Sequence, residues 1–392
     1  MITTRMNGMD RMIGGWHRLC LGVARHTAGL AVLFLIQFGV VPAAEPHQYA
    51  FESIQVPAAT ADEPRRQKLS TAMAVDHLEQ GSVAWSGQRQ CISCHTNGTY
   101  MLARPALSKS LGTPPESTLG FFREQLATLS AEPPEKLRKS TKPAQVIYLA
   151  AGLAEWDKHV TDTLSADTDK ALRLMFAIQE DSGTWGTLDC WPPYESDAFH
   201  EATVAALATA TAPGWLAAVE GGSDDELKER ISRLRNYLRD TPVPHDYGRV
   251  LLLQAATRFP GLVDDNGIRD SIAMLRRQQR EDGGWSIRTF ATPESWGSGN
   301  RAGKLRAEPD FESPASDGHM TGLAIVALRA AGVPAEDPEI QRGLQWLGAN
   351  QRASGRWWTQ SLNTDSWHFI TYSGTALPLL ALQSCGALPA VE

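Results

Sequence analysis

One short punctuation recurs along the chain. A helix-like run ends in Gln, and a Trp follows within six residues behind a glycine. It reads Gln179…Gly183-Thr184-Trp185, Gln279…Gly283-Gly284-Trp285 and Gln351-Arg352-Ala353-Ser354-Gly355-Arg356-Trp357, with a weaker copy at Gln80…Trp85. Gln80, Gln179 and Gln279 are 99 and 100 residues apart. Repetition at a fixed period constrains a fold strongly, because each unit must bury its apolar face against the next, and a period of about 100 divides into two units of about 50.

Filling the gaps gives six helical hairpins. The first helices are predicted near 67–80, 118–129, 168–180, 226–239, 266–280 and 338–351, with apolar residues at helical spacing such as Ile231, Leu234 and Leu238. The second helices are predicted near 99–109, 143–155, 198–211, 247–257, 319–331 and 372–384. These are small and apolar nearly all round, as in Ala205-Ala206-Leu207-Ala208 and Ala324-Ile325-Val326-Ala327-Leu328. A helix apolar on every side is buried on every side. Alternating half-buried and fully buried helices makes two concentric rings, so the expected fold is an all-α (α/α)6 toroid over 67–392. Residues 45–66, with Pro46, Pro57 and Pro64, read as an extended lead-in.

The N-terminus reads as an export signal. Arg5, Arg11, Arg18 and Arg25 precede an apolar run of 14 residues, Ala28 to Val41, followed by Val41-Pro42-Ala43-Ala44. Such a run makes about 21 Å of helix, too short to span a bilayer comfortably. Residues 1–44 are therefore expected to be cleaved and the body to be periplasmic or secreted, with no stable membrane insertion. Export bears on Cys91-Ile-Ser-Cys94-His95, because C-x-x-C-H is the attachment motif of a c-type haem, and such haem is attached in the periplasm. The two thiols would add to the porphyrin vinyl groups, and His95 would be the proximal iron ligand. The motif falls inside the first hairpin, so the expectation is one covalent haem c carried by the toroid. The sixth ligand is left open among rim residues, with His319 and Met320 as adjoining candidates.

Composition removes some alternatives. A net charge of −7 without a basic run argues against nucleic acid. Cys190 and Cys385 are too few and too far apart for a disulfide framework, and Cys20 leaves with the signal. No H-x-x-x-H or H-E-x-x-H spacing occurs, so a local zinc motif is missing.

The Gln-to-Trp pattern resembles the QW repeat of squalene-hopene cyclases and of the wider prenyltransferase/squalene-oxidase repeat family, here in a branch carrying C-x-x-C-H. The resemblance covers most of 67–385. It implies an α/α toroid with a central cavity, in which the Gln and Trp tie neighbouring outer helices together. The family's catalytic signatures do not carry over. There is no Asp-x-Asp-Asp run, and Asp167-Thr168-Asp169-Lys170, the nearest match, starts an outer helix. Asp189-Cys190 only imitates the zinc set of protein prenyltransferases.

In a toroid of hairpins every outer-to-inner turn lies on one rim. His95, His200, His245, His319 and His368 should share it, together with the long segments 182–197, 286–316 and 352–371. Long loops on one face of a rigid scaffold usually build a site. In Trp191-Pro192-Pro193-Tyr194-Glu195-Ser196-Asp197, followed by His200 and Glu201, Asp197 reads either as a helix cap with Glu201 in the first turn, or, with Glu195, as an acid or base facing the cavity. His245-Asp246-Tyr247, and His368 with Tyr372, are further polar groups at inner-helix starts. The catalytic candidates are thus Glu195, Asp197, His200, His245, His368 and Tyr372. Trp191, Trp296 and Trp367, outside the repeat positions, are candidates for an aromatic-lined cavity holding an apolar or carbohydrate substrate. The functional expectation is a haem-dependent oxidoreductase served by an external electron carrier. A non-enzymatic electron-transfer or haem-sensing module, and a non-redox lyase or cyclase with a structural haem, stay open.

Overall fold

The computed structural model describes residues 47–187, 189, 191–195 and 197–389. The expected signal segment, Cys190 and Ser196 lie outside the described residues. The described residues form one compact unit.

Among the described residues twelve helices build two rings, numbered here so that odd helices are outer and even ones inner: α1 Thr71–Arg89, α2 Asn97–Ala103, α3 Glu116–Ser130, α4 Lys142–Trp156, α5 Ala166–Ala177, α6 Ala198–Thr211, α7 Asp225–Asp240, α8 Asp246–Ala256, α9 Asp265–Arg277, α10 Gly318–Ala330, α11 Pro338–Asn350 and α12 Ile370–Ser384. Each inner helix packs on the next, and α12 packs back on α2, which closes the inner ring. The fold is an all-α toroid. No single helix among the described residues is long and apolar enough to cross a membrane.

Physical reasons for the pattern are visible at the helix ends. Three inner helices start on a side-chain cap placed alike. Asp197 accepts from the His200 N–H, His245 Nδ1 from the Gly248 N–H, and Asp317 from the Met320 N–H, at 2.8, 2.9 and 2.8 Å. Each satisfies one of the helix's orphan donors. Small inner-helix residues let neighbouring backbones approach, as at Gly322, where an added Cβ would stand 2.6 Å from the backbone of α12.

The repeat turns are one construction used three times. Gln179, Gln279 and Gln351 each donate from Nε2 to the carbonyl of the turn glycine, at 3.0, 2.8 and 2.7 Å. The same amides also donate to a carbonyl of the next outer helix: Arg230, Glu339 and, across the seam of the ring, Ser70. Trp185, Trp285 and Trp357 each donate from Nε1 to the carbonyl ten residues earlier, always at 2.8 Å. The turn glycine has φ near +90°, and at Gly283 a Cβ would stand 2.8 Å from the Arg342 carbonyl oxygen. Only glycine meets both demands.

The first unit departs from this plan. Helix α1 does not end near residue 80; it runs through Gln80 and Trp85 to Arg89. Gln80 bonds one turn back, to Asp76, and ties no neighbouring helix. The match at Gln80…Trp85 is therefore not a repeat turn. The segment before α1 also has more structure than an extended lead-in. β1 His47–Phe51 and β2 Ile54–Pro57 form an antiparallel hairpin. Beyond it, Glu63 pairs with buried Arg356 at 2.8 Å and accepts from the Ser354 N–H. The lead-in so clasps the last repeat turn to the first outer helix.

Candidate functional site

Inner-helix residues spaced three and four apart line a central cavity of about 440 Å³, within the roughly 300–1,000 Å³ usual for small-molecule sites. Its layers differ in chemistry. At the N-terminal ends of the inner helices stand Tyr148, His200, Tyr247, His319 and Ser373, with Tyr194 from the 182–197 loop. Below them the wall is aliphatic, including Ala151, Val204, Leu251, Leu323, Ala376 and Leu380. At the C-terminal ends come Glu155, His159, Arg258, Arg329 and Gln383. Exposure follows the same axis: the first layer is buried, whereas Arg258, Ala330 and Ser384 are exposed. The cavity therefore opens on the rim of the inner-helix C-termini. The long-loop rim is a lid over the closed end, because Tyr194 and the loop ends pack down into it.

The closed end is a connected hydrogen-bond ceiling whose protons can be assigned. Ser373 has one proton, which goes to the Ile370 carbonyl at 3.0 Å, so Ser373 Oγ accepts from His319 Nδ1 at 2.7 Å and from the Tyr194 phenol. His319 Nε2 then accepts from Tyr247 Oη at 3.1 Å. His200 donates from Nδ1 to the Pro193 carbonyl at 2.6 Å, and its Nε2 accepts from Tyr148 Oη at 3.3 Å. Burial depresses both imidazoles, His319 to about 3, so they are neutral. Burial also holds the Tyr148, Tyr194 and Tyr247 phenols well above their ordinary value. What the ceiling still offers a ligand is phenolic lone pairs, which accept.

The C-x-x-C-H segment adjoins this ceiling from outside. Asn97 clamps it, accepting from the Ser93 N–H at 2.8 Å and donating to the Cys91 carbonyl at 3.0 Å, while Trp85 Nε1 donates to the same carbonyl. His95 Nδ1 is hydrogen-bonded with Thr96 Oγ1 at 2.7 Å, and Tyr49 of β1 braces Thr96 at 3.2 Å. The His95 ring stacks on Phe369 (centroids 4.4 Å, 12°), meets Trp85 edge-on, and lies 6.4 Å from the Tyr194 ring. Burial lowers His95 to about 3 and raises both thiols. Cys91 and Cys94 are both free. The donor set is two thiols and a neutral imidazole whose Nδ1 is engaged, leaving Nε2 for iron. It suits a covalent c-type haem.

Beside Cys94 lies a buried carboxyl pair. Glu201 has neither carboxyl oxygen hydrogen-bonded, and Glu195 lacks a partner on Oε2. Burial raises Glu195 to about 7, and burial, with the nearby Glu195 and Asp197, raises Glu201 well above its ordinary value. At neutral pH Glu195 is divided between acid and carboxylate.

Of the six catalytic candidates only His200 lines the cavity. Glu195 is buried near Cys94. Burial pushes Asp197 up, but its bond with His245 at 3.3 Å and the nearby His200 hold it below the usual carboxylate range. Asp197 and His245 are helix caps bound to each other. His368 accepts from the Ser361 N–H and packs on Trp358, outside the cavity. Tyr372 points outward, stacked on His77 at 5.0 Å and against Gly81. Of the two candidates for the sixth iron ligand, His319 has both ring nitrogens hydrogen-bonded in the ceiling, and Met320 is wholly buried in the core. Trp296 is buried behind His245 and Tyr247, and Trp191 and Trp367 are exposed. Sequence reasoning missed Tyr194, Tyr148 and Tyr247 as cavity residues, and Phe369 and Tyr49 as the wall of His95. Thr96 and Asn97, immediately after the motif, were the available signal.

Residues 242–385 match the family described as "Squalene-hopene cyclase C-terminal domain". That stretch holds α8 to α12 and two of the three repeat turns. Over these residues the ring is squalene-hopene cyclase-like. Among solved structures, the chain is similar to one recorded as "Glycosidase Wild Type", with 15% identity and a TM-score of 0.38, over 88% of this chain and 94% of that one. No curated protein matches the chain in sequence.

Proposed function

We propose that this is an exported c-type haem protein that exchanges electrons with an apolar molecule held in the toroid cavity, with an external electron carrier as partner. Cys91 and Cys94 would attach the haem and His95 would ligate its iron; the group would supply one-electron transfer. The observation that carries the reading is Tyr194, which touches His95 on one side and closes the cavity on the other. A substrate seated under the ceiling is one ring away from His95.

The chain's own residues divide the remaining work. The aliphatic wall excludes water and favours an apolar substrate over a sugar, since a sugar's hydroxyls would lose hydrogen bonds there. Neutral His200 and His319 fix the phenols, whose free lone pairs hold a hydroxyl at the substrate's inner end. Two observations favour redox chemistry over an acid-initiated lyase or cyclase. The buried acids whose carboxyls burial pushes up, Glu195 and Glu201, stand beside Cys94, and neither is among the cavity-lining residues.

A pyridine haemochrome spectrum of the protein matured in a periplasm tests this. One covalent haem per chain is expected, and Cys91→Ser/Cys94→Ser should lose all of it while keeping its helical circular dichroism. A purified protein without covalent haem would overturn the proposal.

A further inference from the structure

We infer that the cavity takes a single-chain amphiphile bearing an anionic head, a carboxylate or phosphate, seated at the open mouth by Arg329. The inference rests on reading the cavity as the substrate site and names the class of molecule that enters it. Charge at the mouth carries the argument. Buried Glu155 is balanced by Arg258 at 2.6 Å, and His159 lies 3.1 Å from its other oxygen. Although burial alone would raise it, Arg258 and His159 hold Glu155 below its ordinary value, so it is ionised. Arg329 is different. Its Nε and Nη1 donate to main-chain carbonyls, Ser384 at 3.1 Å and Val333 at 2.5 Å. Among the described residues it makes no ion pair. Arg329 and Glu336 act on the Cys385 thiol in opposite directions, and no ion pair joins them among the described residues.

The mouth thus has a surplus cation, held in place by two carbonyls and lining the cavity at the end of an aliphatic wall. Gln254, Gln383 and Ser384 add neutral hydrogen-bonding groups around it. A guanidinium fits the planar, two-oxygen geometry of a carboxylate or phosphate. An apolar tail running up the wall satisfies the middle layer, and only a molecule with both parts satisfies the whole site. A neutral hydrocarbon would leave Arg329 without a counter-ion, and a cationic amphiphile would be repelled.

Isothermal titration of the mature haem-loaded chain tests this with dodecanoate, dodecyl phosphate, dodecan-1-ol and dodecyltrimethylammonium, each below its micelle concentration. Both anions are expected to bind at least tenfold tighter than the alcohol. Arg329→Gln should erase that preference while leaving alcohol binding in place, and Arg329→Lys should keep most of it. A loss of helix-capping alone would weaken all four probes equally. Ala376→Trp, which fills the middle of the cavity, should abolish binding of every probe. Equal affinity for anion and alcohol, tighter binding of the ammonium, or anion binding that survives Ala376→Trp in a folded variant would overturn the inference. Repeating the titration on Cys91→Ser/Cys94→Ser separates the two readings. Anion preference there sustains this inference even if the haem reading fails; a haem-loaded protein without the preference sinks this inference alone.

Discussion

The segment after α9 and the middle of α1 carry the same two residues, Gln and Trp, at nearly the same spacing, and they are built differently. At 279–285 the Gln amide bridges the turn glycine and the next outer helix, and the Trp indole bonds back to Leu275. At 80–85 both residues lie inside a helix, and the indole turns forward to the Cys91 carbonyl. The difference lies in what glycine is used for. Gly283 supplies a left-handed turn against a neighbour's backbone. Gly81 stays helical and makes room for Tyr372, whose ring an added Cβ would meet at 2.0 Å. The helix therefore continues for two more turns and delivers Trp85 to the C-x-x-C-H segment. One rim position thus staples the ring in three units and frames His95 in another.

The comparison breaks most directly at the glycines. Gly283→Ala should destabilise the protein by about 3 kcal/mol, since it combines a disfavoured φ with a backbone clash. Gly348→Ala, on α11 with open space around the added Cβ, should stabilise by about 0.5–1 kcal/mol. Equal melting shifts for the two would refute the turn argument. Smaller effects are expected at the amides. Gln279→Ala removes two hydrogen bonds to carbonyls and should cost about 2 kcal/mol, whereas Gln80→Ala should stay within about 0.5 kcal/mol in denaturant titrations.

A further effect, read against pH, concerns the carboxyl pair beside Cys94. The folded value of Glu195, about 7, lies above the unfolded glutamate value of about 4.3. Its contribution is therefore full below the unfolded value and lost as pH rises through the folded one. Buried histidines such as His77 and His319, depressed to about 3, act oppositely, so the informative quantity is a difference. The melting temperature of Glu195→Gln minus that of the parent should rise between pH 5 and 8. A flat difference would show that Glu195 does not titrate in that window.

Much of the ring was legible. The inner helix at 198–211 falls where its small apolar run and the Asp197 cap predict, because burial on all sides and an orphan donor are local demands. The end of α1 was not legible, because the residue Gly81 makes room for, Tyr372 on α12, is far away in sequence. The candidate site divides in the same way. A thiol–thiol–imidazole set in five consecutive residues can be read directly, and so can helix caps three residues from their donors. Which rim is lid and which is mouth cannot, since both are lined by helix ends and differ only in how Tyr194 and its loop pack across the ring.

The sequence by itself determined the repeat, the alternation of half-buried and buried helices, and the thiol–thiol–imidazole set, because each depends on spacing along one segment. Tertiary structure alone decided that Tyr372 faces away from the cavity, that His319 gives both nitrogens to a ceiling, and that Arg329, at an open mouth, makes no ion pair among the described residues. Those facts depend on where side chains from different hairpins meet, and the closing of the ring, not the local pattern, brings them together.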